Sequence, residues 1–388
     1  MKVVILGAAG RSGQAVRAAL LSLPGIDGVI LADREAEMLN RLAALPAPFP
    51  VSPRFLDAED ARSLRERIAE ADVAIGCLGP AYRCEEKVVE AVLETGRDYI
   101  SLGDDTRAYR ESLSRDEEAR RRGVRIFLAC GVAPGLSGLL SRRACALVER
   151  VRGVAFYWSL QGLLSMGDAA VAQMAHSFTG KAAVLRARRE ETVRAGGWAE
   201  AVEFPPPAGR RLLRYLDHPE PLTVPRFAPE AEDAWFKAGA GDGGDELILH
   251  TLAWLEEGYR DLCWHAVRLA AARGRRTGEP CPFSLRVAVE GVRRGEPRRV
   301  SLGVNGDYYR LSGTAAAEAV RRMAGGGLPG PGVHALDECL DDRVFLESLH
   351  RAGARFFLAE ERPSRGDAYG PHGGDVAWRE EDEGPGRR

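Results

Sequence analysis

The sequence has no excess charge of either sign. Fifty-four Lys and Arg stand against 56 Asp and Glu, for a net charge of −2. The two signs are mixed along the chain, which leaves no basic field to hold nucleic acid or an anionic membrane surface. No apolar run approaches the ~18 residues of a membrane-spanning helix. The first run, 3–6, is too short for the core of a secretory signal. No two cysteines have CxxC spacing, and the seven present (Cys77, Cys84, Cys130, Cys145, Cys263, Cys281 and Cys339) are odd in number. That argues against a disulfide framework and a zinc site. It leads to the expectation of reduced thiols, no bound metal and a cytoplasmic location. Lysine is scarce: apart from Lys2, Lys87, Lys181 and Lys237, every cationic side chain that is not histidine is an arginine.

What is present is the composition of a globular protein. The chain has 388 residues, 45% hydrophobic and 28% charged, enough for two domains of ordinary size. Through the first third, short apolar runs alternate with amphipathic stretches. Strands are expected at 3–6, 29–32, 54–56, 73–77, 98–102 and 124–129, and helices at 12–23, 34–45, 58–70, 85–95 and 107–122. This βαβ alternation predicts a doubly wound parallel sheet with helices on both faces.

Past residue 135 the pattern changes. Helices are expected at 137–149, 169–191, 247–272 and 315–324, and strands at 154–159, 283–292, 297–302 and 308–312, with a hairpin turn at Arg294-Gly295-Glu296. Residues 205–207 are three prolines in an irregular stretch, and 239–244 and 273–280 read as loops. The fold expected is α/β: a dinucleotide-binding domain over 1–135 and a second, α+β domain for substrate and dimerisation over 136–312. C-terminal helices and a strand over 313–362 would pack back on the first domain, and 363–388 would be a disordered tail.

The first strand runs directly into Gly7-Ala8-Ala9-Gly10-Arg11-Ser12-Gly13, a GxxGxxG sequence closely related to the GxGxxG fingerprint of the Rossmann fold. The first glycine allows a tight turn, the second a close backbone approach to a pyrophosphate, and the third close helix–strand packing. The helix N-terminus supplies free N–H groups to the phosphates. Asp33 stands 20 residues after Gly13, at the end of the second predicted strand, where a carboxylate accepts from ribose hydroxyls and repels a 2′-phosphate. Arg34 beside it is suited to gripping that phosphate. The cofactor is therefore NAD or NADP, with NAD favoured. Asp57 is placed either to reach the adenine edge or to cap the following helix. Cys77, Leu78, Gly79 and Pro80 end the fourth strand at the mouth of the crevice, beside the nicotinamide ribose, with Cys130 at the end of a later strand.

Several stretches resemble the saccharopine dehydrogenase-like family. They are Gly79-Pro80, Val88-Val89-Glu90-Ala91, Gly96, Asp98-Tyr99-Ile100-Ser101-Leu102, Gly123-Val124 and Cys130-Gly131-Val132-Ala133-Pro134-Gly135-Leu136-Ser137. The likeness covers residues 1–140, continues more weakly at Gly313-Thr314 and Gly332-Val333 with Glu338, and is loose over 160–280. It implies a nicotinamide-dependent oxidoreductase that forms or cleaves a C–N bond by hydride transfer to an imine or from a secondary amine derived from an amino acid. Some relatives reduce C=C bonds, and reduction of a C=C or C=O bond is the alternative chemistry. A non-catalytic NAD(H)-binding protein is the alternative of a different kind. Partners implied are a small-molecule substrate and a second copy of the chain. Ala133 stands where the family usually has Asp before Pro-Gly, which weakens transfer of the saccharopine substrate.

Hydride transfer to an imine needs one acid–base group. Candidates at the crevice mouth are Asp104, Asp105, Tyr82 and Tyr99, the last lying in an expected strand and equally suited to the core. Asp104 and Asp105 follow Ser101, where they suit a substrate ammonium, and Asp104 is equally suited to capping a helix near Thr106. His176 and Lys181 are candidates from the second domain. Five apart on one expected helix, they would point about 140° from each other. Cys130 has no adjacent base in sequence to activate it as a nucleophile.

Overall fold

The computed structural model describes residues 1–161, 166–240, 280–339, 342–362 and 376–381. The helix expected at 247–272, with Trp254 and Trp264, lies outside them, as does most of the loop at 273–280. The chain divides into two compact units. Met1–Leu136 with Tyr309–Ala352 form the first, and Ser137–Tyr308 with Gly353–Arg388 the second.

The first unit is a doubly wound parallel sheet. Its strands are β1 (Lys2–Leu6), β2 (Gly28–Asp33), β3 (Val51–Phe55), β4 (Val73–Gly76), β5 (Asp98–Ser101), β6 (Arg125–Leu128) and β15 (Gly332–Ala335), in the order β15-β6-β5-β4-β1-β2-β3. Val3, Val4, Ile5 and Leu6 of β1 are fully buried. Each such side chain contributes about 1.5–3 kcal/mol through removal from water, which is why unbroken apolar runs mark the central strands. The intervening helices are α1 (Arg11–Leu20), α2 (Ala36–Ala43), α3 (Ala61–Ala69), α4 (Ala81–Thr95), α5 (Thr106–Ser114) and α6 (Asp116–Arg122). Where a single helix was expected over 107–122, the chain breaks at Arg115 into α5 and α6. The first carboxylate of α6, Asp116, accepts from the Val333 amide at 2.9 Å and so ties the helix to β15.

The second unit is built on a mixed sheet of ten strands among the described residues. β7 (Arg150–Leu160), β13 (Pro282–Arg293) and β14 (Glu296–Asp307) form its long centre. β7 pairs antiparallel with β13 and parallel with β12 (Asp233–Ala240). On one face of this sheet Phe156 stacks on Phe236, and Trp158 meets Phe236 edge-on. α7 (Leu136–Cys145) leads into the unit. The turn between β13 and β14 falls where expected, with Arg294 and Gly295 both at positive φ, as a two-residue hairpin of matching twist requires.

Several expectations are corrected. The helix expected over 169–191 ends early: α8 is Asp168–Ser177, and the chain then turns at Gly180, φ +82°, into the hairpin of β8 (Lys181–Arg186) and β9 (Arg189–Arg194). The Ala-rich run favours helix locally, but antiparallel pairing with β9 and an edge contact to β12 override propensity. The turn itself uses Ala187 and Arg188 at positive φ, with none of the usual Asn or Gly to signal it. The three prolines join β10 (Glu200–Phe204) to β11 (Gly209–Tyr215) in another hairpin. Gly239 and Ala240, read as the start of a loop, are the last residues of β12. The strand expected at 308–312 is the first turn and a half of helix α10 (Tyr308–Ala324), because Gly313 packs on Ala15 of α1 and buries that segment in helical register. After the short helices α9 (Glu220–Thr223) and α11 (Asp342–Arg351), β16 (Arg355–Glu361) joins the second sheet. Within the stretch expected to be disordered, β17 (Arg379–Glu381) pairs with β16. The bidentate Arg355–Glu380 contact and Trp378, edge-on to Phe357, hold it there.

Candidate functional site

The C-terminal ends of β1, β2, β4, β5 and β6 in the first unit gather most of the expected residues. Gly7 turns at φ +87°, and a Cβ there would lie 2.6 Å from the Cys77 carbonyl oxygen. The loops after β1 and β4 therefore touch only because residue 7 has no side chain. A Cβ at Gly13 would meet the Gly7 carbonyl oxygen at 2.4 Å, so α1 sits directly on the loop. Gly10 is the N-cap of α1 in extended conformation. No side chain caps that end, and no acidic residue lies in its first turn. Arg11 lies over the Tyr309 ring at 4.2 Å. This bare, positively polarised helix end, with Arg11 and Ser12 in its first turn, fits a pyrophosphate.

Asp33 has a second duty that sequence reasoning missed. Its Oδ2 accepts from the Ala9 amide at 2.9 Å, and its Oδ1 from the amides of Arg34 at 2.7 Å and Glu35 at 3.2 Å. The carboxylate thus clamps the glycine loop to β2. The Arg34 side chain is 80% exposed, with a loose ion pair to Glu35. Asp57 is exposed and does not cap α3. Asp60 does, accepting from the Arg62 amide, while Asp57 accepts from the Glu59 amide in a local turn.

The pair Asp104-Asp105 divides its roles otherwise than expected. Asp105 is the buried N-cap of α5, accepting from the Ala108 amide at 2.9 Å, whereas Asp104 is half-buried. Tyr82, also half-buried, lies in the first turn of α4, with Arg83 over its ring. Cys77, Leu78, Gly79 and Pro80 form the loop between β4 and α4. Cys130 is fully buried, and burial holds its thiol well above the usual range, which leaves no thiolate for nucleophilic attack. Ala133 is buried in the turn from Gly131 to Leu136, where Gly135 at φ +129° lets the backbone bond to itself. His176 and Lys181 belong to the second unit. His176 is in the last turn of α8 and Lys181 is exposed at the start of β8, so they share no helix. Among the described residues no group of three or more His, Cys, Asp or Glu is placed to hold a metal.

One residue of this region was absent from the expected set. Glu85, on α4, is 6% exposed. The Tyr99 hydroxyl donates to its Oε2 at 3.1 Å and the Ser101 hydroxyl also bonds the carboxyl, while Oε1 is buried with no partner. Burial, reinforced by Asp104 and Asp105 nearby, pushes this carboxyl up to about 7. The Glu85-Glu86-Lys87 run looks like a solvated helix face. Only the 3.6-residue phase of Ala81, Glu85, Val88 and Val92 hints that Glu85 points inward.

Comparison with known proteins bears on this cradle. Residues 3–126 match the family described as saccharopine dehydrogenase NADP binding domain. This segment belongs to that domain family. The match takes in the glycine loop and runs from β1 into β6, and the family's description gives no support to the preference for NAD expected from Asp33. A "Trans-acting enoyl reductase" of Mycobacterium leprae is 31% identical over 134 residues, which are 33% of this chain and 32% of that protein. A "Probable mitochondrial saccharopine dehydrogenase-like oxidoreductase" of Arabidopsis thaliana is 33% identical over 152 residues, 36% of this chain and 34% of that one. The chain spans about a third of the length of the curated relatives it matches. Among solved structures, saccharopine dehydrogenase (L-Glu forming) of Saccharomyces cerevisiae superposes over 93% of this chain and 99% of its own, with TM-score 0.66 and 15% identity. At that identity the likeness establishes a shared fold for the doubly wound unit and the mixed-sheet unit.

Proposed function

We propose that the protein is an NADP(H)-dependent oxidoreductase that moves a hydride to or from the carbon of a C–N bond in an imine or secondary amine derived from an amino acid. The observation that carries this reading is the uncapped glycine cradle of α1 within a segment matching an NADP-binding domain. Bound there, the dinucleotide supplies the hydride chemistry. The chain's residues bind and orient it. Gly7, Gly10, Gly13, Arg11 and Ser12 hold the phosphates, Asp57 stands at the adenine end, and Cys77, Leu78, Gly79, Pro80 and Cys130 flank the nicotinamide ribose. Asp33 and Arg34 set the choice of cofactor. With the carboxylate of Asp33 already accepting three amides, exposed Arg34 is the group to meet a 2′-phosphate. Asp104 and Tyr82 are the acid–base candidates on this unit, and His176 and Lys181 those on the other. We further propose a homodimer acting on a small molecule.

A fluorescence titration tests the cofactor claim. NADPH should bind more tightly than NADH, and Arg34→Ala should weaken NADPH by about ten- to a hundredfold, the worth of a charge-assisted contact, while leaving NADH nearly unchanged. Absence of binding by either would refute the reading.

A second chemistry, reduction of a C=C bond, is favoured by two observations. One relative is called an enoyl reductase, and Ala133 stands where an acidic residue marks the saccharopine type. Following NADPH oxidation with α-keto acid and amine pairs against enoyl substrates separates the two. Turnover of enoyl compounds alone would select the second.

A further inference from the structure

Glu85 lies at the nicotinamide end of the cradle just described. The strand order reverses between β1 and β4, and a dinucleotide crosses a doubly wound sheet at that point. Asp33, on β2, marks the side that would take the adenosine, so β4 and β5 are the strands that would carry the nicotinamide half. The Tyr99 hydroxyl that holds Glu85 sits against the last residue of β4, since a Cβ on Gly76 would lie 2.0 Å from it. The next residue, Cys77, touches Gly7. A continuous contact path thus runs from the glycine loop through Cys77, Gly76 and Tyr99 to the Glu85 carboxyl. The loop after β5 passes on its other side: the Gly103 amide donates to the Ser101 hydroxyl at 3.0 Å, and Gly103 leaves only enough room for the carboxyl.

A buried carboxyl with an unmatched oxygen is costly as an anion and much less so as a neutral acid. The titratable groups that face it are Tyr99 on β5, Asp104 and Asp105 beyond it, Cys130 after β6, and Cys84 on α4 itself. None of these is a cation at neutral pH. The oxidised nicotinamide ring is a cation and the reduced ring is neutral, and at short range inside a protein a charge of that kind is weakly screened.

We propose that Glu85 is the proton store of the dinucleotide site: it keeps its proton more readily when the site is empty or holds the reduced dinucleotide, and gives it up to water when the oxidised dinucleotide binds. This rests on the dinucleotide reading above. Glu85 acts through the charge of the site, so it is a positioning residue for the proton that accompanies hydride transfer.

The test uses the full-length protein without substrate. Infrared difference spectroscopy should show a protonated carboxyl titrating near neutral pH that disappears in Glu85→Gln. Calorimetry at neutral pH in two buffers of different protonation enthalpy should show NADP+ binding with release of about half a proton, as expected for a group near its midpoint. NADPH should release none, and Glu85→Gln none with either. Tyr99→Phe, which removes a donor from the carboxylate, should move the titration to higher pH, and serves if the Gln variant does not fold. A carboxyl titration that survives in Glu85→Gln, an unmoved titration in Tyr99→Phe, or binding of NADP+ without proton release would each overturn the proposal. If neither dinucleotide binds, the proposal falls together with the functional reading, whereas binding without proton release removes the proposal alone.

Discussion

At the scale of single residues, two carboxylates of the first unit differ in what surrounds them. Asp33 accepts from three amides, and its loss removes the clamp on the glycine loop and, on the proposed reading, an acceptor for the ribose. Asp33→Ala should therefore weaken NADH and NADPH alike and also lower the thermal midpoint, in contrast to Arg34→Ala, which should leave stability untouched. Differential scanning fluorimetry beside the titration distinguishes the two. Glu85 behaves in the reverse sense. Its folded-state value, about 7, lies above the 4.5 of an exposed glutamate, so the folded protein holds the proton more tightly than the unfolded chain. Its contribution to stability is complete below the lower value and is lost as pH rises through the upper one. The thermal midpoint should fall from about pH 5 to about pH 8, and Glu85→Gln should flatten that fall.

At the scale of elements, the helix ends and turns are set by local bonds whose worth can be measured. Asp105 caps α5, and Asp105→Ala should cost about 1 kcal/mol in chemical denaturation, with an added cost because the cap is buried. Gly13→Ala would press a methyl onto the Gly7 carbonyl. It should cost about 1–3 kcal/mol, as overpacking does, and abolish dinucleotide binding by displacing the loop. Much of this level was legible in sequence. The glycine loop, the six strands of the first 130 residues and the β13–β14 turn follow from apolar runs and Gly placement. The β8–β9 hairpin did not, because its turn residues are Ala187 and Arg188 and its strand residues are good helix formers. The cap was read one residue early, since Asp104 and Asp105 are equally able cap residues and only helix phase decides between them.

At the scale of the molecule, the chain leaves the first sheet near Leu136 and returns to it at Tyr309, so neither unit is one continuous segment. A fragment ending at residue 136 would lack the edge strand β15 and the helix α10, whose Gly313 packs on α1. Such a fragment should lose cooperative thermal unfolding, although it contains every residue of the glycine cradle. The second unit has its own buried polar chain. The Ser137 hydroxyl donates to Glu220 at 2.6 Å, and the other oxygen of Glu220 pairs with His218, which stacks on Phe236. Glu220→Ala would leave that histidine and hydroxyl buried without their carboxylate. It should destabilise by about 1–3 kcal/mol in urea unfolding, the range for leaving a buried polar group without its partner.

The sequence by itself determined the dinucleotide cradle, because a glycine loop between an apolar strand and an amphipathic helix is a local pattern. Its glycines are dictated by contacts within a few residues or by one neighbouring strand. Only the tertiary structure decided that Glu85 is a buried carboxyl whose burial raises its hold on a proton, that Asp33 clamps the loop, that Asp105 and not Asp104 is tied up in a cap, and that Lys181 lies on a strand. Burial and hydrogen-bond partners are properties of what the rest of the chain brings to a side chain, and for Glu85 those partners lie 14 and 16 residues away on the next strand.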